Sequence, residues 1–146
     1  IERMKKPNAI DRNSATEKWL YPTGHYCVVR RFSSKEEKRR IVASTVDPHV
    51  FGDMPALGFE NHLNVFHEQR GGLPKALARG LTVFLNSSIV DESFRRFNGH
   101  TQVNATDLRQ MKYPSRGALI ELGEWAKHHR EMTQELIDER FGTLTA

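Results

Sequence analysis

The sequence predicts an α+β fold, with antiparallel strands in the N-terminal half and helices packed mainly from the C-terminal half. Before residue 70, apolar residues fall in short β-branched or alternating runs, which are typical of strands. After residue 73 they recur three and four residues apart, as in amphipathic helices. A chain of 146 residues, 38% of them hydrophobic, is long enough to bury one core. We therefore expect a single domain over residues 21–142, with residues 1–20 as a linker or an excised boundary.

The first predicted element is a β-hairpin formed by residues 25–32 and 39–46. Both runs are rich in β-branched residues, and a short polar connection joins them. A helix is the competing interpretation, because Ser34 followed by Glu37 resembles a capping box. The hairpin is favoured, since a run containing Ile41 and Val42 is a poor helix former. Cys27 lies within the first run and is expected to be a buried, unreactive thiol.

The middle of the chain predicts a loop, a strand and two helices in turn. Residues 47–58 contain two prolines and two glycines and are predicted to be a loop. Residues 62–67 alternate apolar with polar side chains, which predicts a strand with one polar face. Helical spacing follows in residues 74–85, with Pro74 suited to the first helical position, and again in residues 90–97.

The last third predicts an extended segment and one long helix. Residues 99–104 are polar and expected to be extended, and Thr106 or Asp107 is expected to open one short turn. Ser115 is a suitable N-cap for a last helix that ends before Gly142. The predicted buried side of this helix consists of Leu119, Leu122, Trp125, His129, Met132 and Leu136.

Composition excludes several classes of protein. No apolar run approaches the roughly 18 residues that a membrane span needs, so we expect no membrane association. A single cysteine leaves no internal disulfide and no thiolate metal site. With no secretory leader in the sequence, we expect a reducing, cytoplasmic location. Phosphate-binding loops, a dinucleotide fingerprint, a nucleophile elbow and an H-E-x-x-H motif are also absent from the sequence.

The distribution of charge points to a polyanionic partner on one face. The formal net charge is +4, and the sequence pI is about 9.4. Cationic residues are concentrated in one run: Arg30, Arg31, Lys35, Lys38, Arg39 and Arg40. A solvated charged turn explains the same run equally well, so charge alone leaves both interpretations open.

The first polar cluster consists of His62, Asn64 and His67. On a strand, His62 and Asn64 share one face, whereas His67 falls on the opposite face. Imidazole ligands at this position suggest a metal-dependent nuclease of the His-Asn-His type, although no nearby acidic pair completes such a site. A strand face that meets base edges or phosphates is favoured over the metal site, and simple solvent exposure is the third interpretation.

The second polar cluster consists of Asn98, His100, Thr101, Gln102 and Asn104. Asn and Gln side chains hydrogen-bond adenine with two bonds, and Thr contacts phosphate or the thymine methyl group. Any polar loop contains such residues, so this pattern is weak when taken alone.

Residues 77–115 carry a recurring pattern of motifs. A helix ends in Leu85-Asn86-Ser87, a second helix ends in aromatic residues, and Gly-x-Thr-Gln-x-Asn follows at residues 99–104. Asp-Leu and an exit through Pro114 complete it. This pattern resembles the target recognition domain of adenine-specific DNA methyltransferases and of type I specificity subunits. The earlier stretches VVRRFSSKEEKRRIVAS and GFENHLNVFH resemble the C-terminal part of type II restriction–modification methyltransferases.

The resemblance implies a DNA-reading domain that acts in or beside an S-adenosylmethionine-dependent transferase. Such enzymes hold the flipped adenine with a [DNS]-P-P-[YFW] tetrapeptide and bind S-adenosylmethionine through a Gly-rich loop, and neither motif occurs in these 146 residues. We therefore expect no catalytic residue, metal or cofactor in this chain, with S-adenosylmethionine bound by the parent enzyme. The expected partners are double-stranded DNA and a catalytic methyltransferase domain, in cis or in trans.

Two sets of DNA-binding residues follow from the resemblance together with the chemistry of the side chains. The expected phosphate contacts are Arg30, Arg31, Lys35, Arg39 and Arg40. The expected base or groove contacts are His62, Asn64, His100, Thr101, Gln102 and Asn104. Beside the nuclease, the remaining alternative is a protein-interaction module of the same system that docks through its last helix.

Overall fold

The computed structural model describes residues 20–33, 36, 38–48, 56–59, 62–97, 102–129 and 133–145, with the backbone alone described at 97 and 142–145. Most of the predicted linker, the centre of the predicted 47–58 loop and the Ser34–Glu37 capping pair therefore lie outside the described residues. The described strands are Leu20–Pro22 (β1), Tyr26–Arg30 (β2), Ala43–Val46 (β3), Ala56–Gly58 (β4) and Leu63–Phe66 (β5). The described helices are Lys75–Leu85 (α1), Ser88–Phe97 (α2), Ala105–Gln110 (α3), Arg116–Ala126 (α4) and Gln134–Thr145 (α5). This arrangement confirms the predicted α+β class.

A three-stranded antiparallel sheet, ordered β3–β2–β5, is the larger of the two described sheets. Tyr26 lies opposite Val46 and Val29 opposite Ala43, so β2 and β3 form the predicted hairpin. On the other edge of β2, Cys27 lies opposite Phe66, which confirms the strand predicted over residues 62–67. The side chains of β2 are buried from Tyr26 to Val29, because both faces of this central strand are covered.

A second sheet pairs β1 with β4, with Leu20 opposite Gly58 and Pro22 opposite Ala56. The predicted loop over residues 47–58 is therefore wrong at its end, and β1 begins at Leu20, one residue inside the predicted linker. Strands of three residues are too short to show a period of two, so the pattern could not reveal them. Buried Leu20 and Leu57 hold the pair together, and the ring of Tyr21 packs against Phe59.

Helix α1 covers the face of β2 and β3 that carries Cys27, and its apolar side enters the core. Pro74 is its N-cap rather than its first helical residue. Helix α2 follows after Asn86 and Ser87, as the sequence predicted. The core that these elements enclose contains Cys27, Val29, Ile41, Leu77, Leu81, Phe84, Leu85, Phe94, Val103, Leu119, Leu122, Ile137 and Phe141.

The last predicted helix is two helices, α4 and α5, so the prediction of a single continuous helix is wrong. The Ser115 side chain accepts a hydrogen bond from the Ala118 backbone N–H at 3.1 Å, which confirms the predicted N-cap. Leu119 and Leu122 are buried as predicted, whereas Trp125 is only half-buried. The chain turns at residues 127–129, and Ile137 and Phe141 of α5 return to the core. No proline or glycine marks this break, so the helical spacing of apolar residues in the sequence continues across it.

Helices α1 and α4 run antiparallel in direct backbone contact. A Cβ atom added at Gly80 would lie 1.8 Å from the carbonyl oxygen of Leu119, and one at Gly123 would lie 1.8 Å from that of Ala76. Only glycine fits at both positions, because the facing backbone occupies the space of a side chain. No helix in the described ranges is long and apolar enough to cross a bilayer.

Candidate nucleic-acid interface

Main-chain hydrogen bonds bring one member of each predicted polar cluster, His62 and Gln102, to the C-terminal end of β2. The Arg31 N–H donates to the His62 carbonyl at 2.8 Å, and the Val103 N–H donates to the Arg31 carbonyl at 2.6 Å. Phe32 and Gln102 form a single antiparallel β-bridge. Residue 62 and residues 102–103, which are far apart in sequence, therefore meet beside the two arginines that end the strand. We call Arg30, Arg31, Phe32, His62 and Gln102 the β2-end cluster.

The aromatic side chain of Phe32 lies at the surface of this cluster. Phe32 is 42% exposed, and its ring meets the His62 imidazole edge to face, with centroids 5.3 Å apart. The guanidinium of Arg30 donates to the Phe32 carbonyl at 3.3 Å. An apolar ring is thus fixed between cationic and polar groups on the outside of the protein.

Asn64 and Asn104 lie next to the cluster, but their side chains have structural partners. The Asn64 amide donates to the Val103 carbonyl at 2.7 Å and ties β5 to the segment that precedes α3. Asn104 is the N-cap of α3, and the Asp107 carboxylate accepts from its backbone N–H at 3.0 Å in a capping box. This helix begins slightly earlier than the predicted turn at Thr106 or Asp107. Both asparagines therefore position the segment, Asn64 through its side-chain amide and Asn104 as the residue that begins α3, and their role as base contacts stays a prediction.

The remaining predicted base contacts divide into two groups. His62 is exposed and Gln102 is partly exposed, so both present polar groups at the β2-end cluster. His100 and Thr101 lie outside the described residues, as does the predicted phosphate contact Lys35.

Arg40, predicted as a phosphate contact, is fully buried. Its Nε donates to the Ser33 hydroxyl at 3.0 Å, and its guanidinium carbon lies 5.3 Å from the centre of the Phe94 ring. The Arg40 backbone N–H donates to the Asp91 carboxylate at 2.7 Å. Arg40 thus fastens the hairpin connection to α2, and we assign it to packing rather than to the phosphate set. The run of charges gave no sign of this, because burial depends on partners distant in sequence.

A groove beside the β2-end cluster adds two further cations, Lys38 and Arg39. Its volume is about 430 Å³, and it is lined by Arg30, Lys38, Arg39, Val42, Asn86, Gln134 and Ile137. Lys38 and Arg30 are exposed, whereas Arg39 is half-buried because its guanidinium donates to the Asn86 carbonyl at 2.7 Å. Arg30 belongs to both the groove and the cluster, so the two form one continuous cationic surface.

A polar network connects α5, which lines one side of the groove, to the end of α1 and the start of α2. Gln134 donates to the Asn86 carbonyl at 2.9 Å, and Asp138 accepts from the backbone and hydroxyl of Ser88 at 2.9 and 2.6 Å. Burial raises the pKa of Asp138, but the hydrogen bonds from Ser88 and Gln134 and the charge of Arg39 outweigh burial and hold that pKa below its ordinary value. The ionised carboxylate therefore anchors α5 to the start of α2.

The geometry argues against the nuclease interpretation of His62, Asn64 and His67. The two histidines flank β5 at opposite ends, about 16 Å apart along a strand. The Asn64 amide is bound to Val103, and the His67 ring accepts from the Arg70 backbone N–H at 2.8 Å. Within the described ranges no three His, Cys, Asp or Glu side chains are grouped as metal ligands.

Sequence reasoning missed Phe32, Asn86 and Gln134 as parts of this surface. Phe32 is the last apolar residue of a β-rich run. The signal that distinguishes it is its position after two arginines and before two serines, where the strand ends. Asn86 belongs to the Leu85-Asn86-Ser87 motif and Gln134 to no motif, and nothing local places either at this surface, because their partners are 40 or more residues away.

Comparison with known proteins shows two relatives over nearly the whole chain. The type II methyltransferase M.BsuBI of Bacillus subtilis is 65% identical over 142 residues, which are 97% of this chain and 28% of that protein. The type II methyltransferase M.PstI of Providencia stuartii is 47% identical over 139 residues, 95% of this chain and 27% of that protein. No protein-family model and no solved structure matches the chain. The chain is thus homologous to a segment of type II methyltransferases and spans little more than a quarter of these relatives.

Proposed function

We propose that this chain is the DNA sequence-recognition segment of an adenine-specific DNA methyltransferase of a restriction–modification system. The carrying observation is the convergence of two cationic residues and two polar candidate readers at the end of β2. Similarity to two type II methyltransferases supplies the context in which such a surface acts on DNA. To this similarity the proposal adds the recognition role and the adenine specificity.

The phosphate-contacting set, in this proposal, is the continuous surface formed by the groove and Arg31. Arg30 and Lys38 are its exposed cations, and Arg39 adds charge while one of its nitrogens remains bound to Asn86. Lys35 belongs to the same proposed set through its place in the sequence. Such contacts release counterions and supply affinity that depends on salt but not on base sequence.

The base-contacting set consists of His62 and Gln102, with His100 and Thr101 proposed from the sequence. Gln102 is held by its backbone to Phe32, which fixes the position of this residue at the β2-end cluster. An amide that both donates and accepts is suited to the adenine edge in the major groove. Asn64 and Asn104 act in this proposal as supports that hold the reading segment in place.

In this proposal the cationic groove of Arg30, Lys38 and Arg39 holds DNA phosphates rather than S-adenosylmethionine. We propose that the cofactor and the adenine pocket belong to a catalytic methyltransferase domain, joined in cis or in trans, to which this segment delivers the DNA. Catalysis by the chain alone is not part of the proposal.

The proposal is tested by fluorescence anisotropy with a labelled duplex enriched from a random pool by the chain, and with a scrambled duplex. Lys38→Gln should weaken binding to both duplexes and lower the slope of log affinity against log salt by about 0.9. Gln102→Ala should cost about 1–3 kcal/mol on the enriched duplex only, with an unchanged slope. The matched control is Lys127→Gln, which removes the same charge at the C-terminal end of α4, far from the groove.

The control should leave both affinities within about twofold, because a remote charge is screened at ordinary salt. No measurable binding to either duplex by the unaltered chain would overturn the proposal. Equal losses for Lys38→Gln and Lys127→Gln would show that overall charge, not this surface, holds the DNA.

A further inference from the structure

We propose that Phe32 stacks on a nucleobase of the bound duplex, entering between two bases as a wedge. This inference deepens the proposed function and rests on it. It assigns the aromatic ring a role separate from the phosphate and base-edge contacts around it.

Exposure of Phe32 is the first observation. Among the described residues, Phe32 and Ile89 are the large hydrophobic side chains that remain exposed, at 42% and 52%. An isolated exposed apolar residue is ordinary, but Phe32 lies in the middle of the candidate DNA surface rather than at its margin. Its neighbours are Arg30, Arg31 and His62, which do not form an apolar patch for another protein.

The attachment of Phe32 is the second observation. Its backbone is fixed on one side by the β-bridge to Gln102 and on its carbonyl by the Arg30 guanidinium. The His62 ring packs against the phenyl ring in a T-shaped pair, at a centroid distance of 5.3 Å and an interplanar angle of 72°. With 42% of Phe32 still exposed, the ring retains surface for a second aromatic partner. A ring held so firmly loses little conformational freedom when it binds.

Charge complementarity identifies the partner. An apolar ring bordered by two arginines and a cationic groove suits a ligand that alternates negative charge with flat apolar faces. Nucleic acid has this character, since each base carries a π-face and each nucleotide carries a phosphate. Proteins that bend or open a duplex insert apolar side chains between base steps in the same way. An enzyme that extracts a base also gains when a side chain supports the disturbed stack.

The chain itself, bound to the enriched duplex at two salt concentrations, provides the test. Phe32→Tyr keeps the aromatic face and should bind within about twofold of the unaltered chain. Phe32→Ala removes the ring and should weaken binding by about 5- to 150-fold, the range expected when one base–aromatic stack is lost to alanine. The salt slope should stay unchanged, because no charge is removed. Ile89→Ala, at the other exposed apolar position, should have no effect.

A spectroscopic readout accompanies the affinities. A duplex with 2-aminopurine at successive positions should brighten at one step when the unaltered chain or Phe32→Tyr binds, and remain dark with Phe32→Ala. Binding by Phe32→Ala equal to that of the unaltered chain would overturn the wedge while the proposed function stands. Failure of the unaltered chain to bind DNA would overturn both the wedge and the proposed function. Loss of affinity in Phe32→Ala with no brightening at any step by the unaltered chain would assign the ring to contact outside the base stack and overturn the wedge as well.

Discussion

The side chain of Asn86 pairs with the backbone of Ala43 as a neighbouring strand would. Its Oδ1 accepts from the Ala43 N–H at 2.8 Å, and its Nδ2 donates to the Ala43 carbonyl at 3.0 Å. One amide at the C-terminal end of α1 therefore satisfies both backbone groups at the start of β3. The pairing fixes the helix against the sheet at the end where the groove and the β2-end cluster lie.

Asn86→Ala should lower the free energy of unfolding by about 2 kcal/mol, since it leaves the donor and the acceptor of a buried residue unpaired. Asn86→Asp should also destabilise the fold, because a carboxylate accepts from the N–H but cannot donate to the carbonyl. Urea denaturation measures both. Gln110→Ala, which truncates an exposed amide at the end of α3, is the control and should change stability by less than about 0.5 kcal/mol. A similar change in Asn86→Ala and Gln110→Ala would contradict the pairing.

Gly123→Ala should be strongly destabilising, by about 3 kcal/mol or more, because its methyl group would overlap the Ala76 carbonyl in the facing helix. Gly80→Ala should behave in the same way against Leu119. Gly117 of α4 has no atom within 4 Å of the position that a Cβ would take. Gly117→Ala should therefore stabilise by up to about 1 kcal/mol through helix propensity alone. Thermal unfolding of the three variants gives the comparison, and equal effects would show that the helices do not touch.

Alkaline pH should destabilise the fold through Cys27. Burial raises the pKa of this thiol from its ordinary value near 9.0 to about 12, and the hydrogen bond from Thr82 offsets burial only in part. Below pH 9 the thiol is neutral in both states and its burial contributes fully. Above pH 9 the unfolded chain loses the proton first, so stability falls as pH rises toward 12. Burial also raises the pKa of Tyr113, which acts in the same direction.

Urea midpoints between pH 7 and pH 10.5 measure this loss, and Cys27→Ala should make the decline shallower. A thiol reagent supplies an independent check at pH 8. Cys27 is fully buried and unpaired with another cysteine, so it should react only as fast as the protein opens. Rapid modification of the folded chain would show that the thiol is accessible.

Acid pH should weaken the attachment of α5 to α2, because it protonates Asp138. Burial raises the pKa of this carboxyl, but the hydrogen bonds from Ser88 and Gln134 hold that pKa below its ordinary value of 3.8. The contribution of this carboxylate is present above pH 3.8 and is lost as pH falls through the lowered pKa. Asp138→Asn should cost about 1–2 kcal/mol at pH 7 and much less at an acid pH where the carboxylate is protonated. Glu121→Gln, at an exposed position of α4, should change stability little at either pH. An equal cost of Asp138→Asn at both pH values would be inconsistent with an ionised anchor.

Local patterns predicted the elements whose signal is local. The hairpin of β2 and β3, strand β5 and helices α1 and α2 each span enough residues to show a period, and all five are confirmed. The pairing of β1 with β4 joins residues more than 30 positions apart through three residues each, so no window of sequence contains it. The break between α4 and α5 depends on where Ile137 and Phe141 find space in the core, which is a tertiary effect.

The candidate site shows the same division. Side-chain chemistry predicts Arg30, Arg31, His62 and Gln102 as candidates, but nothing local indicates that the end of a strand brings them together. Arg40 stands in a run of cationic residues, and such a run does not show which of its side chains is buried. The free-energy cost of burying the Arg40 guanidinium is offset by the Ser33 hydroxyl and the Phe94 ring, and only the fold brings these groups close to it.

Main-chain atoms of residues 102 and 103 make hydrogen bonds that hold this segment against β2. Val103 donates its N–H to Arg31 and accepts the Asn64 amide on its carbonyl, and Gln102 pairs with Phe32 through the backbone. Replacement of the Gln102 side chain leaves these backbone partners in place. If the segment reads DNA as proposed, a new target sequence is accessible by exchanging this side chain on an unchanged framework. Libraries of variants at residue 102 would then change the preferred DNA sequence, while the rest of the chain maintains the fold.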